Sequence, residues 1–318
     1  MRVLFWGTPE FATPALLALV GEGFDVVGVV TQPDRSVGRS RSTVQASPVK
    51  RIAREEGIAV LQPERPRGDA FLAEIAALEP ELSVVVAYGH ILPRAVIDLP
   101  PRGTVNIHAS LLPALRGAAP IQAAIREGHT ETGVTIMRMI PALDAGPVIL
   151  QSRTPILEDE TYGELSLRLS ELGALALIEA LSLIELGGAR EEPQDHAIAT
   201  YAPKIDRTMA WVDWTAAAAT ACRVIRSLDP KPGAVASLRG TEVKLFGAKL
   251  APRTSSMTSG EIVAIDDGGM VVACGDGAVR VAAVQPAGKR RLPPNDWARG
   301  RGAAVGDRFA QAPAPVSS

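Results

Sequence analysis

Asn106, His108 and Asp144 have the residue types and spacing that acyl chemistry uses. The first two close the apolar run Thr104-Val105-Asn106-Ile107-His108, and the third sits in the turn Leu143-Asp144-Ala145-Gly146. Residues i and i+2 of a strand share a face, so an amide and an imidazole stand side by side while Val105 and Ile107 face the other way. An amide N–H can stabilise an oxyanion, an imidazole can carry a proton, and a carboxylate can orient it. Taken singly, each has a bland reading: polar residues that finish a strand, or an Asp that forms a turn. Placed at adjacent strand ends, the three predict a constellation for acyl-group transfer. Between them lie Ser110-Leu111-Leu112-Pro113 and Arg116-Gly117-Ala118-Ala119-Pro120, a loop whose small residues would let a flat ligand reach backbone groups.

Strand ends can hold such groups only if a sheet presents them together. The first ~150 residues alternate short Val-rich runs with amphipathic segments of ~10 residues, the pattern of βαβ units and a parallel sheet covered by helices on both faces. The first strand-to-helix turn, Gly7-Thr8-Pro9-Glu10-Phe11, lacks the second and third glycines of the dinucleotide fingerprint, which disfavours a dinucleotide. An α/β sheet still places its ligand beyond the carboxyl ends of its strands. A long helix is predicted from about Thr161 to Leu186, stopped by Gly187-Gly188. Residues 190–208 are polar and aperiodic and read as a linker. A helix and five short β-like runs in 209–310 predict a small β-barrel, and the Ala/Pro/Ser stretch 311–318 reads as a disordered tail.

Composition bounds the partners. The chain has 318 residues, 47% hydrophobic and 21% charged, with no apolar run near the ~18 residues of a membrane span. Cys222 and Cys274 stand outside any metal-ligand or disulfide spacing, so no metal is expected. The opening MRVLFWG reads as a strand and leaves no room for a signal peptide, so the expected compartment is the cytoplasm. No membrane partner is expected, and the chain is expected to be monomeric. The net charge of −2 is unevenly distributed: residues 1–208 hold 19 Lys+Arg against 26 Asp+Glu, and residues 209–318 hold 14 against 9. Two basic segments suit a phosphate backbone. One runs from Arg35 to Arg54 with Arg35, Arg39, Arg41, Lys50, Arg51 and Arg54 and no acid, and its part up to Ala46 reads as a flexible loop. The other is Lys289-Arg290-Arg291 with Trp297 close in sequence.

The segments MRVLFWGTPEFA, TQPDR, SPVK, VVAYGHILP, NIHASLLPALRGAAPIQAAI, TGVTIMRMIPALDAGPVI and YAPKI occur in this order over more than two thirds of the chain. Together they resemble the methionyl-tRNA formyltransferases. The block around Asn106 and the later LDxG are shared with glycinamide ribonucleotide formyltransferase and other 10-formyltetrahydrofolate enzymes. The GTPEFA opening, the YAPKI segment and the basic second half point to the tRNA enzyme. The resemblance implies an α/β chain with a Rossmann-like, mainly parallel N-terminal catalytic domain over 1–189 and an OB-like tRNA-binding barrel over 209–310. It implies transfer of a formyl group from 10-formyltetrahydrofolate to initiator methionyl-tRNA. Asn106 would donate to the oxyanion, His108 would bind the same oxygen or move the proton, and Asp144 would orient it. Ser110, Leu111, Leu112 and Pro113 match the segment that contacts tetrahydrofolate. Arg39 or Arg41 matches the important loop arginine, and Lys289, Arg290 and Arg291 form a second tRNA-contacting patch. Competing expectations are formyl transfer to a glycinamide ribonucleotide or a sugar amine, and a non-catalytic RNA binder.

Overall fold

A computed structural model of the chain describes residues 1–37, 43–252 and 258–311. Its strands are β1 (Arg2–Gly7), β2 (Asp25–Val30), β3 (Arg35–Val37), β4 (Thr43–Gln45), β5 (Val60–Leu61), β6 (Leu82–Val86), β7 (Thr104–His108), β8 (Glu131–Arg138) and β9 (Val148–Pro155). They continue with β10 (Ala234–Leu238), β11 (Thr241–Ala251), β12 (Ile262–Asp266), β13 (Gly269–Ala273), β14 (Ala278–Pro286) and β15 (Phe309–Ala310). The helices are α1 (Thr13–Gly21), α2 (Pro48–Glu55), α3 (Asp69–Ala76), α4 (Arg94–Ile97), α5 (Pro120–Glu127), α6 (Tyr162–Glu185), α7 (Ala218–Ser227) and α8 (Pro294–Arg299). The chain divides into two compact units. The first comprises Met1–Pro120, Glu131–Pro155 and Ser166–Ala202; the second comprises Ile121–Thr130, Ile156–Leu165 and Pro203–Ser318. Among the described residues no helix is long and apolar enough to cross a membrane.

Apolar runs without polar alternation make strands that are buried on both faces, and β1 and β6 are of this kind. Val3, Leu4, Phe5 and Trp6 are fully buried, and all five residues of β6 are buried. The sheet of the first unit runs β5-β2-β1-β6-β7-β8-β9. Its first five strands are parallel and follow the 3-2-1-4-5 part of the Rossmann strand order. β8 and β9 run antiparallel to their neighbours, so the sheet is mainly parallel with an antiparallel edge. The connection from β8 to β9 is too short for the crossover that a parallel pair requires. Trp6 anchors one face, edge-on to Phe71 and Tyr88, with its indole N–H donated to Ser83. Helix α6 ends at Gly187, whose φ of 69° allows its N–H to reach Ile184 O and that of Gly188 to reach Leu183 O.

The segment expected as a flexible cationic loop differs in two respects. β3 and β4 pair as an antiparallel hairpin, with Arg35 opposite Gln45. Arg39 and Arg41 lie outside the described residues, as does most of the 311–318 tail. Lys50 belongs to the interior rather than to a phosphate-facing surface. Its ammonium donates to Asp34 Oδ2 at 2.6 Å and to Gln62 Oε1 at 2.5 Å, because a buried charge must be paired. The ammonium and the Gln62 amide hold the Asp34 carboxyl below the usual carboxylate range.

In the second unit the sheet runs β12-β13-β14-β11-β10-β15 and is antiparallel throughout. Its two edges meet: Ile262 N donates to Asp307 O and Phe309 N to Gly260 O, so the sheet curls on itself. Ala218, Ala221, Cys222 and Ile225 form the apolar stripe of α7, at helical spacing, and pack into the core with Val243, Leu245, Val279 and Val281. Trp214 stacks on Phe309 at 5.4 Å. Trp297 is also a core side chain, which removes it as a stacking platform beside the basic triplet. Both cysteines are free and buried.

Candidate active site

β7 carries Asn106 and His108 to the carboxyl end of the sheet, between parallel β6 and antiparallel β8. Asn106 is half-buried, and His108 is buried at the strand's last position. The His108 ring lies 2.9 Å through Nε2 from Leu115 O. A carbonyl can only accept, so Nε2 carries the hydrogen and Nδ1 is the nitrogen free to exchange a proton. Nδ1 faces Asp144 Oδ2 at 3.7 Å. That distance is wider than a direct hydrogen bond, so the two groups pair by charge and would have to close by less than about 1 Å to share a proton directly. The structure thus brings His108 and Asp144 together, with Asn106 two residues back on the same strand.

Asp144 is aimed by its turn. Its φ of 46° lies in the left-handed region, and Oδ2 also accepts the Gly117 N–H at 2.8 Å. Two glycines make this approach possible. Gly117 has φ 116°, and a Cβ there would lie 2.6 Å from Ala202 O; at Gly146 a Cβ would lie 1.9 Å from Arg138 O. Any side chain at either position would have to displace the N–H donor or the carboxylate's turn from its present place.

The loop between them is tied down from several sides. Ser110 is buried, its hydroxyl donating to Ala114 O, while its carbonyl accepts from Thr135 Oγ1. Leu112 N donates to Thr135 Oγ1, Leu112 O accepts from Gln151 Nε2, and Pro113 O accepts from Thr200 N. Leu115 N donates to Thr200 Oγ1. Many of the backbone groups that sequence reasoning offers to a flat ligand are therefore engaged within the protein. The side chains of Leu111 and Pro113 remain partly exposed.

Sequence reasoning missed Gln194 and the buried charge of Arg116. Gln194 is buried within the segment read as a linker, and its amide joins the Arg116 guanidinium to the backbone of the Asp144 turn. An isolated Gln in an aperiodic Pro-containing stretch carries no signal of burial. His196 is exposed but accepts from Arg116 Nη2 through Nδ1 at 3.0 Å. His90 and His129 are exposed.

The basic triplet lies in the second unit after β14. Lys289 and Arg290 are exposed. Arg291 lies 4.0 Å over the Phe246 ring and 3.4 Å from Asp229 Oδ1, so part of its charge is already answered. Among the described residues no cluster of His, Cys, Asp and Glu is arranged to hold a metal ion.

Residues 1–181 match the formyl transferase family, and residues 204–302 match the formyl transferase C-terminal domain. Fold and site together define a formyl transferase. The chain is 47% identical over 309 residues to the methionyl-tRNA formyltransferase of Aromatoleum aromaticum, covering 97% of each. It is 44% identical over 300 residues to that of Moorella thermoacetica, covering 94% of this chain and 96% of the relative. The chain belongs to the methionyl-tRNA formyltransferase family. Its fold is also similar to HypX from Aquifex aeolicus, solved in complex with tetrahydrofolic acid. That likeness has a TM-score of 0.67 at 20% identity and spans 93% of this chain but 46% of HypX.

Proposed function

We propose that this chain transfers the formyl group of 10-formyltetrahydrofolate to the amino group of initiator methionyl-tRNA, as a cytoplasmic monomer. The neutral amine attacks the formyl carbon, forming a C–N bond and a tetrahedral oxyanion. The bond to folate N10 then breaks, the amine loses a proton, and N10 gains one. Asn106 donates its amide N–H to the oxyanion, a contact whose removal typically costs about 2.7–4 kcal/mol. His108 and Asp144 carry the proton across the 3.7 Å between Nδ1 and Oδ2. The observation that most supports this reading is that spacing, since the outer nitrogen of His108 is already committed to Leu115 O.

Leu111 and Pro113 present the apolar surface on which the folate rests, and Ser110 and Leu112 fix its shape through their internal hydrogen bonds. The tRNA phosphates are met by Arg39 or Arg41 and by Lys289 and Arg290, with Arg291 held by Asp229 until the backbone arrives. The second unit, read as an OB-like barrel, supplies that electrostatic affinity. The test is acceptor competition: purified protein with 10-formyltetrahydrofolate, methionyl-tRNA and glycinamide ribonucleotide. Formyl transfer to the tRNA alone supports the assignment, and preferential formylation of the ribonucleotide removes it.

A further inference from the structure

Asp144 acts on His108 only if two separate stretches of chain stay in register: the turn that carries the carboxylate and the loop that supplies the Gly117 N–H and the Leu115 carbonyl. One side chain ties both. Gln194 is 7% exposed, and both ends of its amide are used. Oε1 accepts from Arg116 Nε at 3.0 Å and Nη2 at 2.6 Å, which holds the loop immediately before Gly117. Nε2 donates to Asp144 O at 2.9 Å and Gly146 O at 2.7 Å, which holds the turn at the catalytic residue and two positions beyond it.

Arg116 reinforces the arrangement. It is 3% exposed, and its guanidinium is met by an amide oxygen and the lone pair of His196 Nδ1. A buried guanidinium with neutral partners is costly, and hydrogen bonds to charged groups are the stronger ones, so the fork grips Gln194 tightly. The backbone of Arg116 is fixed as well, its N–H donating to Thr200 O and its carbonyl accepting from Ala202 N. The Asp144 turn needs such a hold because its left-handed φ of 46° is strained for a non-glycine residue.

We propose that Gln194, gripped by Arg116, is a positioning residue for formyl transfer, fixing the Asp144 carboxylate against His108 by pinning its turn to the Gly117 loop. The inference rests on the catalytic reading of Asp144 given above. A misplacement of about 1 Å in a catalytic group can lower turnover ~100-fold, so losing the clamp reduces kcat by roughly 10–100-fold.

The test uses the full chain with Gln194→Leu and Gln194→Glu, each alone and combined with Asp144→Ala. Gln194→Glu keeps the volume and the acceptor for Arg116 but, as a carboxylate, makes neither donation to the turn, so it decides the matter if the Leu variant does not fold. The expected result is a fall in kcat at full active-site occupancy, with KM for both substrates within about threefold of wild type. The double variants should be no more than ~3-fold below Asp144→Ala alone, because two residues acting through one group do not multiply their losses. The proposal is overturned by an unchanged kcat in the folded variants, by a raised KM at normal kcat, or by losses that multiply with Asp144→Ala. A merely structural Gln194 would lower the melting temperature and the active fraction while leaving kcat per active site intact. If Asp144→Ala itself retained the wild-type rate, the catalytic reading of Asp144 would fall with it; a crippled Asp144→Ala beside normal Gln194 variants removes the clamp alone.

Discussion

Asp144→Asn isolates charge from shape. The amide fits the same turn, and because Oδ2 makes both contacts, an amide oxygen in that position still accepts the Gly117 N–H but no longer brings a negative charge to His108 Nδ1. The side chains of His108 and Asp144 are only 6% and 15% exposed, so solvent screens the pair weakly. At the 3.7 Å separation, a unit charge on each partner and an effective dielectric of about 20 give roughly 4.5 kcal/mol of attraction for a transient imidazolium. That is an upper bound of about 2,000-fold in rate, since 1.36 kcal/mol is tenfold. Allowing for screening through the exposed part of both side chains, turnover should fall roughly 100- to 1,000-fold. KM for folate and tRNA should change little. Rapid-quench formyl transfer with saturating substrates measures the step, and circular dichroism with thermal melting confirms the fold. A variant that folds normally and retains wild-type turnover would refute proton management by Asp144.

Three further substitutions have defined outcomes. Replacing Arg39 and Arg41 by Ala should raise the tRNA KM and flatten the slope of log affinity against log salt by up to about one unit per lost phosphate contact, with folate binding unchanged; equal slopes would make the loop a solvated surface. Lys50→Met should destabilise by about 2–3 kcal/mol, below the ~3–5 of a fully buried pair because Asp34 keeps a quarter of its side chain in solvent. Since the Asp34 carboxyl titrates lower folded than unfolded, the pair's contribution is present above the unfolded value near ~3.9 and is lost as pH falls through the lowered folded value, so denaturant melts should show a shallower acid limb in the variant. Gly117→Ala forces a methyl group to within 2.6 Å of Ala202 O at a positive φ, and should lower both melting temperature and turnover; unchanged values for both would show that the loop has slack.

The legible parts of this molecule are those whose physics is local. Asn106 and His108 share a face because a strand has period two, and the turn at Asp144 announces itself through its small residues. Apolar runs marked β1, β2, β6 and β7, and the double glycine marked the end of α6. Strand direction is not carried by an apolar run, so the antiparallel setting of β8 and β9 is seen only in their pairing. Lys50 looks like one more cation in a basic stretch, and only the fold brings Asp34 and Gln62 around it. Gln194 illustrates the same limit within the site: its partners are 48 to 78 residues away, and no periodicity reports them.

The central claim is that Asn106 and His108 serve one transition state of formyl transfer to methionyl-tRNA. The direct measurement is the single-turnover rate from 10-formyltetrahydrofolate to initiator methionyl-tRNA for Asn106→Ala, His108→Ala and the double variant, all checked for native folding. Each single change should reduce the rate at least ~100-fold, and the double should fall only a few-fold further, because groups that act as a unit are not additive. A wild-type rate in either single variant, or a double loss equal to the product of the two, would contradict the account.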